Sequence, residues 1–221
     1  MKIVSLMAGA AVAALFATSA MAQVAITETN FVNVAGTEGD DAGTVSDDIT
    51  ATFGVSGNVV ASCILGNGDA VLDDVDFGNI GIYGDAAAGV DNAFEMVQDR
   101  NGNSSTNAAG CNTSNRLTLT KTGGATGMTN ADAGDAGYDP AVFQANLPYS
   151  LAAVYASPNV GSTVMSASTG KFAVGAGATT NNRENGAWRG ALGIKVEIPV
   201  PTKALVAGEY TDTVTVQIEA I

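Results

Sequence analysis

Gly208-Glu209-Tyr210-Thr211-Asp212-Thr213-Val214-Thr215-Val216-Gln217-Ile218-Glu219-Ala220-Ile221 alternates between apolar and polar side chains over most of its length. Tyr210, Val214, Val216, Ile218 and Ala220 fall on one face; Thr211, Thr213, Thr215, Gln217 and Glu219 fall on the other. That is the pattern of a β-strand with one buried face. A strand at the chain end carries an edge of backbone N–H and C=O groups that needs a partner, from its own sheet or from another chain. Assembly is therefore the first question the sequence raises, ahead of catalysis.

Working outward, the same period recurs. In Ile49-Thr50-Ala51-Thr52-Phe53-Gly54-Val55 the residues Ile49, Ala51, Phe53 and Val55 share a face. Gly57 permits a break, and a second short strand is expected over Val59–Cys63. Val75, Phe77, Ile80 and Ile82 surround an expected turn at Asp76-Phe77-Gly78. Asn115–Lys121, Tyr149–Tyr155 and Trp188–Val200 alternate again. The sequence predicts a polar loop over Asp99–Gly110 and long surface loops or a frayed hairpin over Gly123–Gly137 and Ser157–Asn185. Only Ala86–Val97 offers a turn or two of helix, and Gly89 weakens it. Short alternating runs between Gly, Asn, Asp and Pro clusters predict an all-β sandwich or barrel.

The N-terminus reads as an address. Lys2 precedes an apolar run from Ile3 to Phe16, and Ala20-Met21-Ala22 forms a small-x-small cleavage site before Gln23. Residues 1–22 are thus expected to be a signal peptide, with an uncleaved anchor as the alternative. Export through a bacterial periplasm to the cell surface follows, with no direct membrane span. Residues 23–48 read as an acidic extension, Gly36–Asp48 being rich in Gly, Asp and Glu, and 49–221 as the folded domain. The whole sequence has formal net charge −13, and loss of Lys2 takes it to about −14. So acidic a surface repels nucleic acid and anionic headgroups, so neither is an expected partner.

No histidine occurs anywhere. Ser-His and Cys-His nucleophilic sites and histidine-bearing zinc sites are therefore excluded. Cys63 and Cys111 form an even pair in an oxidising compartment, which predicts a disulfide; two unpaired thiols are the alternative. Carboxylates remain. Asp69, Asp73, Asp74 and Asp76 make one cluster and Asp132, Asp135 and Asp139 another, but neither has the aromatic padding of a glycosidase cleft. Neither follows a calcium-loop pattern, although oxygen ligands would suit that ion. No enzymatic activity and no cofactor is expected.

The order of these signals resembles the spore coat protein U domain family, the secreted subunits of archaic chaperone–usher pili. The resemblance rests on Thr50–Val55, on Val59–Cys63, on Asp76-Phe77-Gly78, on Cys111-Asn112-Thr113 running into Leu117-Thr118-Leu119, on Gly190–Pro199, and on the closing Gly208-x-Tyr210-x-Asp212. The resemblance implies an immunoglobulin-like sandwich that lacks one strand, with a groove walled by the closing strand (Tyr210, Val214, Val216 and Ile218). It also implies a non-enzymatic structural subunit of a surface fibre, in which a periplasmic chaperone and an outer-membrane usher hand the groove to a donor strand of the next subunit. Ile49, Ala51, Phe53 and Val55 are the preferred donor, before Val24, Ile26 and Phe31, because their alternation is cleaner. Either segment could instead be an ordinary first strand of its own sheet. The alternative to a fibre is a self-contained secreted sandwich that binds calcium or a surface glycan through its acidic loops.

Overall fold

A computed structural model describes residues 52–66, 72–85, 89–166 and 170–221. The expected signal peptide, the acidic extension, and Ile49 and Ala51 of the expected donor lie outside the described residues. Residues 56–221 make one compact unit, and the sandwich is built within it.

The first sheet sets β1 (Cys63–Leu65), β2 (Arg100–Cys111), β12 (Trp188–Ile198), β7 (Ser150–Tyr155) and β10 (Phe172–Val174) side by side in that order, all antiparallel. The second sets β3 (Asn115–Lys121) between β11 (Thr180–Asn185) and β15 (Val214–Ala220), again antiparallel. Three small pairings decorate one end and one flank. β4 (Met128–Asn130) sits between β6 (Asn146–Leu147) and β14 (Tyr210–Thr211). β5 (Phe143–Gln144) runs parallel to β13 (Ala204–Leu205), and β8 (Ser157–Pro158) pairs with β9 (Met165–Ser166). Helix is confined, among the described residues, to single turns at Val90–Asn92 and Ala133–Ala136.

Alternation builds the core as expected. Leu117 and Leu119 of β3, Leu151, Ala153 and Tyr155 of β7, and Leu192, Ile194, Val196 and Ile198 of β12 all point inward and are buried. Each large aliphatic side chain so buried stabilises the fold by roughly 1.5–3 kcal/mol before the cost of ordering it. Trp188 caps the layer, its ring 4.9 Å from Tyr155 and its Nε1–H donating to Asn115 Oδ1 at 3.0 Å.

Three expectations are corrected. The polar loop expected at Asp99–Gly110 is β2, the longest strand of the fold. Its outward residues Asn101, Asn103, Ser105 and Asn107 are polar, but inward Gly102, Ser104 and Thr106 are small or polar too, so no hydrophobic period marks it. Pairing with β1 on one side and β12 on the other makes it a strand, an override of local preference by tertiary context. The loop or frayed hairpin expected at Ser157–Asn185 holds more than that: β8 and β9 make a short hairpin, but β10 and β11 are strands of the two main sheets. The short strand expected over Val59–Cys63 starts only at Cys63 and runs to Leu65. The expected Asp76-Phe77-Gly78 turn is present: Gly78 N–H donates to Asp76 Oδ1 at 2.7 Å.

Candidate functional site

The two sheets are closed along one side and open along the other. β10 and β11 are consecutive in the chain yet belong to different sheets, so the turn between them carries the chain across. Asn181 Nδ2 of β11 donates to Ala173 O of β10 at 2.7 Å, and the lip is sealed there. On the opposite side the sheet edges are β1 and β15, and among the described residues no strand pairs with the outer edge of β15.

That edge can be read group by group. Thr122 N–H donates to Thr213 O and Ile221 N–H to Ser114 O, both at 2.9 Å and both in the β15–β3 register. Bonded and non-bonded pairs alternate along an antiparallel ladder. The odd-numbered residues of β15 therefore bond to β3, while the N–H and C=O groups of Val214, Val216, Ile218 and Ala220 point away from it. The side chains of Val214, Val216 and Ile218 are half-buried against the core, whereas Ala220 is exposed. One edge thus offers open backbone groups and apolar side chains on the same residues.

Facing this edge is a strap, Leu72–Phe77, laid along the inner face of β2. Ser104 Oγ donates to Asp73 O at 2.6 Å, and Arg100 donates to Phe77 O at 2.8 Å. Between them Val75 and Phe77 lie over Gly102, where a Cβ would come 2.4 Å from Val75 Cγ1. The strap runs antiparallel to β2 and in step with its inward residues 104, 102 and 100. Between strap and β15 lies a cleft of about 240 Å³, floored by Met128, Tyr149, Ile194 and Val196. It shares the walls Val75, Phe77, Met128 and Asp212 with a wider one of about 890 Å³ that runs past Tyr210 to Ile82 and Leu205.

The Gly-x-Tyr-x-Asp stretch builds the end of the cleft. Gly208 has φ +145°, and a Cβ there would fall 2.4 Å from Asn130 Nδ2, so a side chain is barred twice over. Tyr210 Oη donates to Val206 O at 2.6 Å, four residues back, the tyrosine corner of immunoglobulin-like sandwiches. Tyr210 lies in β14 rather than in β15, so the expected face breaks at Asp212. Asp212 accepts from the N–H groups of Gly123 and Thr213 through Oδ1 and from Tyr149 Oη through Oδ2, each at 2.7 Å. Burial, then the Asp212 bond and charge, hold the Tyr149 hydroxyl far above the usual phenol range. Beneath it Lys121 is fully buried, donating to the carbonyls of Tyr149, Gly175 and Ala176 at 2.8, 3.1 and 3.0 Å. Burial lowers its pKa, and the Asp212 charge partly opposes this.

Cys63 and Cys111 are bonded, as a directly opposed pair of β1 and β2 with Cα atoms 4.1 Å apart. Phe53 and Val55 of the expected donor are exposed. Asp73 and Asp74 line the cleft, and among the described residues no three acidic side chains gather as a metal site. The sequence pattern did not single out the strap, Gly102, Tyr149 or Lys121 as parts of this site. The available signal was Val75 and Phe77, two residues apart, which were read only as flanking a turn.

An all-β sandwich with one cross-strand disulfide, a tyrosine corner and an open side belongs to the class of immunoglobulin-like β-sandwich domains. The family is narrower: the Spore Coat Protein U domain matches residues 49–217, and the chain belongs to that family. The family is associated with chaperone–usher, pilus-like surface structures and is a structural one, not an enzymatic one. Searches of curated proteins and of solved structures gave no match. Among the described residues no helix is long and apolar enough to cross a membrane.

Proposed function

We propose that this chain is a structural subunit of a surface fibre, completed by a β-strand from another copy or another pilus subunit. The observation that carries this reading is the cleft beside β15, lined by Val214 and Val216, on an edge whose open backbone groups and half-buried side chains continue through Ile218 beyond the cleft. A strand added there would bond to β15 and press its alternate side chains between the sheets. Ile49, Ala51, Phe53 and Val55 supply such side chains at the two-residue period.

The direction of the incoming strand follows from the poles. β2 spans roughly 40 Å at about 3.4 Å per residue, with Cys111 at one end and Arg100 at the other. β15 begins near Tyr149, at the Arg100 pole, and ends beside Asn115, at the disulfide pole. The donor joins its own body at the disulfide pole, through Val60, whose carbonyl accepts from Asn112 Nδ2. A donor antiparallel to β15 leaves the acceptor at the Arg100 pole, so disulfide pole meets Arg100 pole and the contact repeats indefinitely. A parallel donor would bring two disulfide poles together and obstruct the next addition. Residues 1–22 direct export in this reading; a periplasmic chaperone occupies the cleft first, and an outer-membrane usher hands it on.

The test is expression of the full chain, with and without Phe53→Asp, beside its chaperone and usher. The substitution is expected to leave a periplasmic subunit that no longer polymerises, because a carboxylate would be desolvated among Val75, Phe77 and Met128 and repelled by Asp73 and Asp74, which also line the cleft. Undiminished fibres from Phe53→Asp but not from Phe31→Asp would move the donor to residues 24–34. Undiminished fibres from both would refute strand donation.

A further inference from the structure

The Arg100 pole carries an exposed apolar cap, only the Ile82 edge of which borders the wider cleft. Residues 81–83 lie against residues 95–97: Ile82 bridges Met96, Tyr83 N–H donates to Glu95 O at 3.0 Å, and Val97 N–H to Gly81 O at 3.0 Å. The cap is fixed to the body, since Leu205 N–H donates to Phe94 O at 3.0 Å and the Phe94 ring lies 6.1 Å from Phe143. Yet Ile82, Tyr83, Phe94, Val97 and Val142 remain 40 % or more exposed, and Val90 at the tip is 92 % exposed. Phe94 is, among the described residues, the one non-glycine with positive φ, at 65°. A bulky residue held in that region commonly marks a functional contact. Ile82 also lines the wider cleft, so the cap continues the mouth through which a donor would leave.

The opposite pole shows a matching surface. Val59 and Val60 are 85 % and 72 % exposed, and Ile64 is 53 % exposed beside the disulfide. On the strand-donation reading only four residues, five Cα-to-Cα steps, separate the donor's last knob, Val55, from the anchored Val60. Fully extended, that tether reaches about 18 Å at most. The disulfide pole of one copy therefore cannot stand off from the Arg100 pole of the copy whose cleft it fills.

We propose that the apolar cap around Val90 and Phe94 is the second half of the subunit contact, seated on Val59, Val60 and Ile64 of the next copy of this chain, the one whose strand fills the cleft. The inference rests on donation by residues 49–55. The contact is heterologous, one pole to the other, so it propagates without closing. It stiffens a joint that a bare four-residue tether would leave free to swing.

The test places two cysteines in one chain, Val60→Cys with Val90→Cys, and reads the fibres by non-reducing electrophoresis. Both residues are at the surface, so folding should survive, and Val60→Cys with Val97→Cys serves as a second pair. A covalent ladder that collapses on reduction is expected, because the two Cα atoms must approach within about 7 Å to bond. Val60→Cys with Val164→Cys, which sits with the Ser157–Asn159 segment that Gly186 bonds near Trp188 at the disulfide pole, should give none. A parallel arm adds a peptide of residues 47–56 to the chain lacking residues 23–56 and follows its melting temperature. Fibres without a ladder from either cap pair, with the peptide still stabilising, overturn the contact and leave strand donation standing. A peptide without effect, and no fibres, overturns both.

Discussion

Gly102→Ala tests the geometry on which the cleft depends. The added methyl would lie 2.4 Å from Val75 Cγ1 and 3.1 Å from the Phe77 ring, where carbon atoms prefer about 3.5–4.0 Å. Val75 is β-branched and has little rotamer freedom to retreat, and Ser104 and Arg100 hold the strap on either side. The strap must then lift by more than an ångström, at the cost usual for overpacking, roughly 1–3 kcal/mol. In an unconstrained strand the same change would stabilise by about 0.5–1 kcal/mol, because glycine loses the most conformational freedom on folding. The sign itself is therefore diagnostic. Urea unfolding of the disulfide-intact chain should show Gly102→Ala less stable by about 2 kcal/mol with an unchanged m-value. Val75→Ala makes room for the methyl, so the double variant should be more stable than the sum of the singles predicts, by more than about 0.5 kcal/mol. A neutral or stabilising Gly102→Ala, or strict additivity, would refute the placement of the strap against β2.

Three further outcomes follow from single contacts. Replacing Cys63 and Cys111 by Ser opens a link across 48 residues of sequence, which in the chain-entropy treatment removes about 4 kcal/mol, readable as a lower urea midpoint; a loss below about 1 kcal/mol would show that the bond contributes little. Tyr210→Phe deletes the hydroxyl bond to Val206 O and should cost about 1 kcal/mol, whereas an unchanged thermal midpoint would remove the tyrosine corner from the account. Alkaline stability should fall from about pH 10 upward, because Tyr149, Tyr155 and Tyr210 all have raised pKa values, with burial as the first cause. Each folded tyrosine keeps a proton that the unfolded chain releases, so each lowers stability as pH rises from that point to its own raised folded pKa. Lys121 and Lys171, lowered by burial, act with the opposite sign, but only up to about pH 10.5, where unfolded lysine is also neutral. Phenolate absorbance at pH 10.5–11 that rises without unfolding beyond what two of the five tyrosines can supply would contradict the burial of these three hydroxyls.

The strands that a sequence reader can find here are those with one wet and one dry face. β3, β7, β12 and β15 qualify, and each was legible. β2 was not, because Gly102 and Ser104 point inward while Asn101 and Asn103 point out, and neither face looks apolar. Gly102 is small for a reason visible only once the strap is laid over it. β11, Thr180-Asn181-Asn182-Arg183-Glu184-Asn185, is polar throughout and owes its strand to the β3 ladder and to Arg116, which reaches Glu184 at 2.7 Å and Glu219 at 3.1 Å. The cleft was half legible: alternation revealed the β15 wall, but the strap wall needed the third dimension. Lys121 alternates with Leu119 and Leu117 in β3 and so points to the same face, yet its charge argued for solvent. Three backbone carbonyls satisfy it where no carboxylate does.

The disulfide also has a mechanical meaning. If copies are strung together through residues 49–60, tension enters each body from the N-terminal side of Cys63. β1 has only three pairs with β2, Cys63–Cys111, Ile64–Gly110 and Leu65–Ala109, and a strand pulled from its end would otherwise peel away one pair at a time. The first pair the load meets is the covalent one. Force therefore passes directly into β2 and is spread as shear over its ladder with β12, from Trp188–Cys111 to Ile198–Arg100. A three-residue strand thus serves as a tensile anchor: a pull that would unzip hydrogen bonds singly must instead strain the whole sheet at once.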